Sequence, residues 1–169
     1  MNDTQTQSTD TSTLSVKMAV GNWELQLSRF NAQLAKLTDE QLMNEISPGR
    51  NRGVYILGHM VAVHDAIIVS LRLGEKLYPE IEKIFIHTPD RTVAEIPTAA
   101  DLRSRWEKVN AKLTESFSKM SADDWFARHN SISDEDFAKE PHRNKLNLLM
   151  NRTSHIGYHA GQLVLLEKK

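Results

Sequence analysis

Apolar residues recur in alternating steps of four and three along the first long segment of the chain. Val16, Val20, Trp23, Leu27, Phe30, Leu34 and Leu37 form one seam, which predicts a helix over about Leu14–Leu37 packed lengthwise against neighbours. Thr38 with Gln41 has the pattern of a capping box and predicts a short helix. Ser47-Pro48-Gly49 then breaks the chain. A second long helix is predicted over about Arg52–Leu73, with Asn51 as N-cap and Gly74 as its stop. One side of it is bulky and apolar, with Leu57, Met60, Val61, Ile67 and Leu71. The other is small or polar, with Gly58, Ala62, Asp65, Ala66 and Ser70 beside Tyr55 and His59. A helix with so little charge is mostly buried. The stretch from Glu75 to Pro97 holds Tyr-Pro, Pro-Asp and Ile-Pro breaks. It predicts an irregular connection with a short helix near Pro79–Phe85, long enough to cross the length of a bundle.

Thr98 opens a third helix as N-cap, with Leu102, Trp106, Val109, Leu113, Phe117 and Met120 at helical spacing. Ser121 caps a short helix over Ala122–Arg128, and the polar, acidic stretch from His129 to His142 predicts a loop. The fourth long helix is predicted over about Asn144–Glu167, with Leu148, Leu149, Ile156, Leu163 and Leu166 on its apolar arc. Ser154, Gly157 and Gly161 form a small-residue strip where another helix approaches. Four amphipathic helices without a strand pattern predict an all-α fold, a four-helix bundle.

Composition narrows the class. The 169 residues suit one domain over 13–169, preceded by a disordered Ser/Thr/Gln-rich tail over 1–12. A net charge of −1 leaves no electrostatic footprint for nucleic acid. No apolar run approaches the ~20 residues that span a bilayer, and the N-terminus lacks the basic start and apolar stretch of a signal peptide. The absence of cysteine fits a cytoplasmic protein and removes both disulfides and thiolate ligands. Any metal site must therefore use His, Asp or Glu.

The chemistry enters with His155 and His159. Four residues apart on a helix, both imidazoles leave the same side, the arrangement by which a helix offers two nitrogens to one metal ion. Both lie inside the apolar arc, where an imidazole must be hydrogen-bonded, metal-bound or paired. Several metal patterns are excluded. Ile156 follows His155 where a zinc protease needs Glu. No Glu has a His three residues later, as di-iron carboxylate bundles require. An all-His site needs a third ligand, for which the second helix offers His59 among small residues and His64 among large ones. His87, His129 and His142 fall in predicted loops and read as solvated residues.

The stretch Val54-Tyr55-Ile56-Leu57-Gly58-His59-Met60 resembles the second helix of the DinB/YfiT-like family. His155-Ile156-Gly157-Tyr158-His159-Ala160-Gly161-Gln162 resembles its final helix, where His precedes x-Gly-Gln. The resemblance implies a four-helix bundle with up-down-down-up connectivity and a long crossover between the second and third long helices. It also implies a divalent metal, zinc or nickel, held by His59, His155 and His159. Tyr158 and Ala160 depart from the residues common in the family, His and Arg, without removing a ligand.

Three neutral imidazoles would leave the ion doubly positive with one open position, acidifying water or stabilising a thiolate there. The resemblance implies a metal-dependent enzyme acting on a small molecule, as a hydrolase or as a transferase using a low-molecular-weight thiol. The alternative is a non-catalytic bundle whose metal site is structural or empty. Arg152, one turn before the pair, is a candidate for holding an anionic substrate, and Tyr55 for lining the cavity. Asn151, Gln162 and Asp65 are candidate hydrogen-bond partners of the ligand imidazoles. The small-residue strip on the fourth helix and Phe85 as an exposed loop residue would suit a homodimer.

Overall fold

The computed structural model describes residues 10–167. Its regular structure is helical throughout those residues, with two isolated β-bridges and no strand. Helix α1 spans Thr11–Ala35, α2 Asp39–Leu42, α3 Gly53–Ser70, α4 Glu82–Phe85, α5 Ala99–Phe117, α6 Ala122–Phe126, α7 Asp134–Lys139 and α8 Lys145–Val164. A short 3-10 turn, Pro79–Ile81, leads into α4.

The caps explain most of the helix starts. Thr38 and Gln41 make the reciprocal capping box at α2, and Thr98 and Ser121 accept the N–H groups that open α5 and α6. Helix α1 begins at Thr11 because the Asp10 carboxylate accepts Thr13 N–H. That places residues 10–12 of the predicted tail at a helix start, while residues 1–9 lie outside the described range. Two helix ends differ from the sequence reading. Arg52, not Asn51, is the N-cap of α3, and its side chain does not cap. Instead Asp90, from the connection after α3, accepts Arg52 N–H at 2.9 Å and grips the guanidinium at 2.7 Å. At the other end Arg72, not Gly74, turns the chain, with φ of 62° and Leu73 N–H donating to the Ile68 carbonyl. The stretch taken as a loop from His129 to His142 contains α7. It buries no side chain and is held by the Ser133 cap and three acidic residues in its first turn.

The core runs along the inward seams read from the sequence. Trp23, Phe30, Leu34 and Leu37 from α1 and the turn after it meet Leu102, Trp106, Val109, Leu113 and Phe117 of α5. Helix α1 packs chiefly on α8, and α3 on α5. Helix α3 is long and apolar enough to cross a bilayer, but most of it is buried against the rest of the chain, as its composition predicts for a core helix.

The connection from Leu71 to Thr98 is bound to α3 at several points. Asp65, buried, accepts Leu77 N–H at 2.7 Å and Tyr78 N–H at 2.8 Å. The Tyr55 hydroxyl donates to the Thr88 carbonyl at 2.6 Å. Phe85 is fully buried against Gly58, where a Cβ would come within 2.3 Å of its ring. Phe85 is therefore not the exposed apolar residue expected of a dimer surface. Gly58 admits an aromatic ring against the helix backbone that any larger residue would push away.

Candidate metal centre

His59 lies on α3, and His155 and His159 lie one turn apart on α8. Their three ligand nitrogens are within 4.8 Å of one another. Nε2 of His155 is 3.3 Å from Nε2 of His59 and 3.0 Å from Nε2 of His159.

The outer nitrogens decide what those inner atoms are. His59 Nδ1 is 2.8 Å from the Phe85 carbonyl oxygen. A carbonyl only accepts, so the proton is on Nδ1 and Nε2 presents a lone pair. His159 Nδ1 is 2.7 Å from Gln162 Oε1. The Gln162 amide turns Oε1 to His159 and Nε2 to the Tyr158 hydroxyl, to which it donates at 3.1 Å. His159 Nδ1 thus carries a proton as well, and its Nε2 also presents a lone pair. At most one proton, on His155 Nε2, is available to three converging acceptors. A cation satisfies all three together, and the donor set fits a divalent metal that accepts imidazole nitrogen.

Electrostatics disfavour a charge on His155 and His159. Burial, then the neighbouring His159, His59 and Arg152, push His155 down to about 4. Burial also pushes His159 down to about 4, against the opposing hydrogen bond from Gln162. Near neutral pH these ligands need lose no proton to accept a metal.

A cavity of about 190 Å³ opens on the cluster, lined by Asn51, Tyr55, Ile56, His59, Phe85, Ile86 and His159. Tyr55 is on the wall of that cavity. Arg152 is elsewhere. It lines a surface depression with His129, Ser131, Arg143 and Asn147, and it reaches His155 only through its charge. Gln162 is a partner of a ligand imidazole. Asp65 and Asn151 are not, because Asp65 holds the connection after α3 and Asn151 donates to the Asn147 carbonyl at 3.1 Å. His64 lies outside the cluster, fully buried, with Nδ1 2.8 Å from Asn110 Oδ1. The Phe85 carbonyl escapes sequence reasoning altogether, since a backbone acceptor carries no residue-type signal.

The fold is shared with a crystal structure of a conserved protein from Enterococcus faecalis. It is 15% identical, with a TM-score of 0.60, covering 89% of this chain and 93% of that one. Among curated proteins none matches this chain. The family model of the DinB superfamily matches residues 22–163, a span that contains all three imidazoles. On that match, which covers most of the chain, the chain belongs to the DinB superfamily.

Proposed function

We propose that the chain is a metal-dependent enzyme whose zinc or nickel ion is held by His59, His155 and His159. The observation that carries this reading is the fixed tautomer of His59 and His159. Two separate acceptors, the Phe85 carbonyl and Gln162 Oε1, hold the Nδ1 protons away from the centre. The chemistry supplied at such a centre is Lewis acidity, which lowers the pKa of a water or thiol that reaches it.

The chain's own residues define the rest of the site. Tyr55, Ile56, Phe85 and Ile86 wall a cavity sized for a small molecule. With no cysteine in the chain, any thiol is a second substrate from solution. The activity is therefore thiol-dependent group transfer or hydrolysis. Metal-loaded wild-type protein and His159→Ala, assayed for thiol transfer with and without glutathione and for ester hydrolysis, separate the two. Turnover that needs glutathione and fails in His159→Ala supports transfer, and turnover without thiol supports hydrolysis. A metal-loaded protein inactive in both assays contradicts the enzymatic reading.

The reading includes a four-helix bundle of α1, α3, α5 and α8 in up-down-down-up order. Contacts at the helix ends support it. Gln33, near the end of α1, donates to Glu167 just past α8, whereas the start of α3 at Gly53 faces Leu166. Trp106, near the start of α5, donates to Asn31 near the end of α1. The stretch between α3 and α5 is then the crossover. The reading also includes a homodimer through α1 and α8. Exposed Leu14, Met18 and Leu25 on one helix, with Met150, Tyr158 and Val164 on the other, supply an apolar face.

A further inference from the structure

Among the described residues, three buried polar side-chain atoms have no hydrogen-bond partner: Trp23 Nε1, His64 Nε2 and His155 Nδ1. Trp23 and His64 pack against each other, and both lie level with His155 along the helices. The rings of Trp23 and His64 have centroids 4.9 Å apart, and Trp106 covers His64 on a second side at 4.5 Å. Gln26 meets α8 at Gly157, so Trp23, one turn earlier on α1, is level with Ser154 and His155. Along α3, Gly53 faces Leu166 and His59 faces His155 and His159. His64, five residues on, is therefore level with the turn of α8 that carries Arg152 and His155. Its charge state is sensitive to both.

The protonation pattern of the three atoms follows from their other contacts. Asn110 Nδ2 donates to the Trp106 carbonyl at 2.8 Å, which orients the amide and makes Oδ1 an acceptor. His64 must then donate from Nδ1, leaving its Nε2 as a bare acceptor. Trp23 Nε1–H is only a donor. His155, when Nε2 faces a metal, carries its proton on Nδ1 and is a donor as well. Two donors and one acceptor, each without a partner, are the complement that one buried water satisfies with three hydrogen bonds.

We propose that His64 is a positioning residue of the metal centre. One buried water accepts from His155 Nδ1–H and Trp23 Nε1–H and donates to His64 Nε2, and Asn110 fixes the His64 tautomer that allows this. The proposal rests on the three-histidine reading and extends it. The ligand His155 would be held in orientation by a polar chain from the Trp106 carbonyl through Asn110 and His64. The other two ligands use the Phe85 carbonyl and Gln162 for the same purpose. Outer partners of this kind orient a ligand and raise its basicity, and losing one weakens metal binding by roughly 10–100-fold.

The test is zinc titration calorimetry with ¹⁵N-histidine NMR on the full chain. The variants are wild type, His159→Ala, His64→Phe and Trp23→Phe. His64→Phe keeps a ring between the indoles, and Trp23→Phe removes only the N–H side of the indole, so the second serves if the first fails to fold. The expected result is one zinc per wild-type chain, lost in His159→Ala and bound about tenfold or more weakly in His64→Phe. Trp23→Phe weakens binding several-fold. In the zinc-loaded wild type, His64 shows the Nδ1–H tautomer and His155 a slowly exchanging Nδ1 proton that shifts or broadens in both Phe variants. Undiminished affinity with an unmoved His155 signal, or a His64 protonated on Nε2, overturns the proposal while leaving the three-histidine site intact. A wild type that binds no zinc overturns both.

Discussion

Each imidazole of the cluster is defined by what its far nitrogen touches, so the far partners are where single substitutions are informative. Gln162→Leu removes the acceptor that holds the His159 Nδ1 proton. It should weaken metal binding by roughly tenfold with little change in helix content, measured by calorimetry and circular dichroism. Acid is the second probe. His64 is pushed down to about 3, mainly by burial, and His155 and His159 to about 4. These bases stay neutral in the folded, metal-free chain at pH values where the unfolded chain takes up protons. Stability is therefore full above about pH 6.5 and falls as pH drops from there toward 4 and 3. For His64, wholly buried, the loss by pH 4 is about 3 kcal/mol. Urea unfolding at pH 7 and pH 4.5 should show a smaller difference in His64→Phe than in wild type. An equal difference would place the acid sensitivity elsewhere.

At the scale of elements, the connection after α3 forms one wall of the centre. Its Phe85 supplies a carbonyl to His59 and a ring to the space above Gly58. Gly58→Ala should displace that ring, cost about 1–3 kcal/mol, and weaken metal binding, both readable by urea unfolding and calorimetry on one variant. Asp65→Ala would leave the N–H groups of Leu77 and Tyr78 without their charged acceptor. It should cost about 2–4 kcal/mol. The long helices were legible because each has a seam of large apolar residues at helical spacing, to which α5 adds its Thr98 cap. The pair His155 and His159 was legible for the same reason, as polar residues on an apolar arc. Helix α7 was not, since no buried side chain marks its period. The cap of α3 was not, because it comes from Asp90, 38 residues away. The choice between His59 and His64 could not be made from periodicity. It turns on whether Phe85 or Asn110 faces the ring, and both are contacts between segments distant in sequence.

For the whole molecule, a metal bound where α3 meets α8 ties together two helices that otherwise touch little. Binding should therefore appear as stability. At a hundredfold excess over Kd, zinc adds about 2.7 kcal/mol, a rise in Tm of roughly 5–11 °C for a domain of this size. Chelator should reverse that rise without loss of helix signal. The apolar face of α1 and α8 predicts a dimer in gel filtration that dissociates on dilution, and a monomer at every concentration would remove that part of the reading. The central claim is that three imidazoles converge on one cation, and metal stoichiometry tests it most directly. Elemental analysis and calorimetry on wild type, His59→Ala, His155→Ala and His159→Ala should give one divalent ion per wild-type chain. Each variant should lose or greatly weaken binding while remaining helical. A wild-type chain without metal affinity, or three variants that bind as tightly as wild type, would contradict the account.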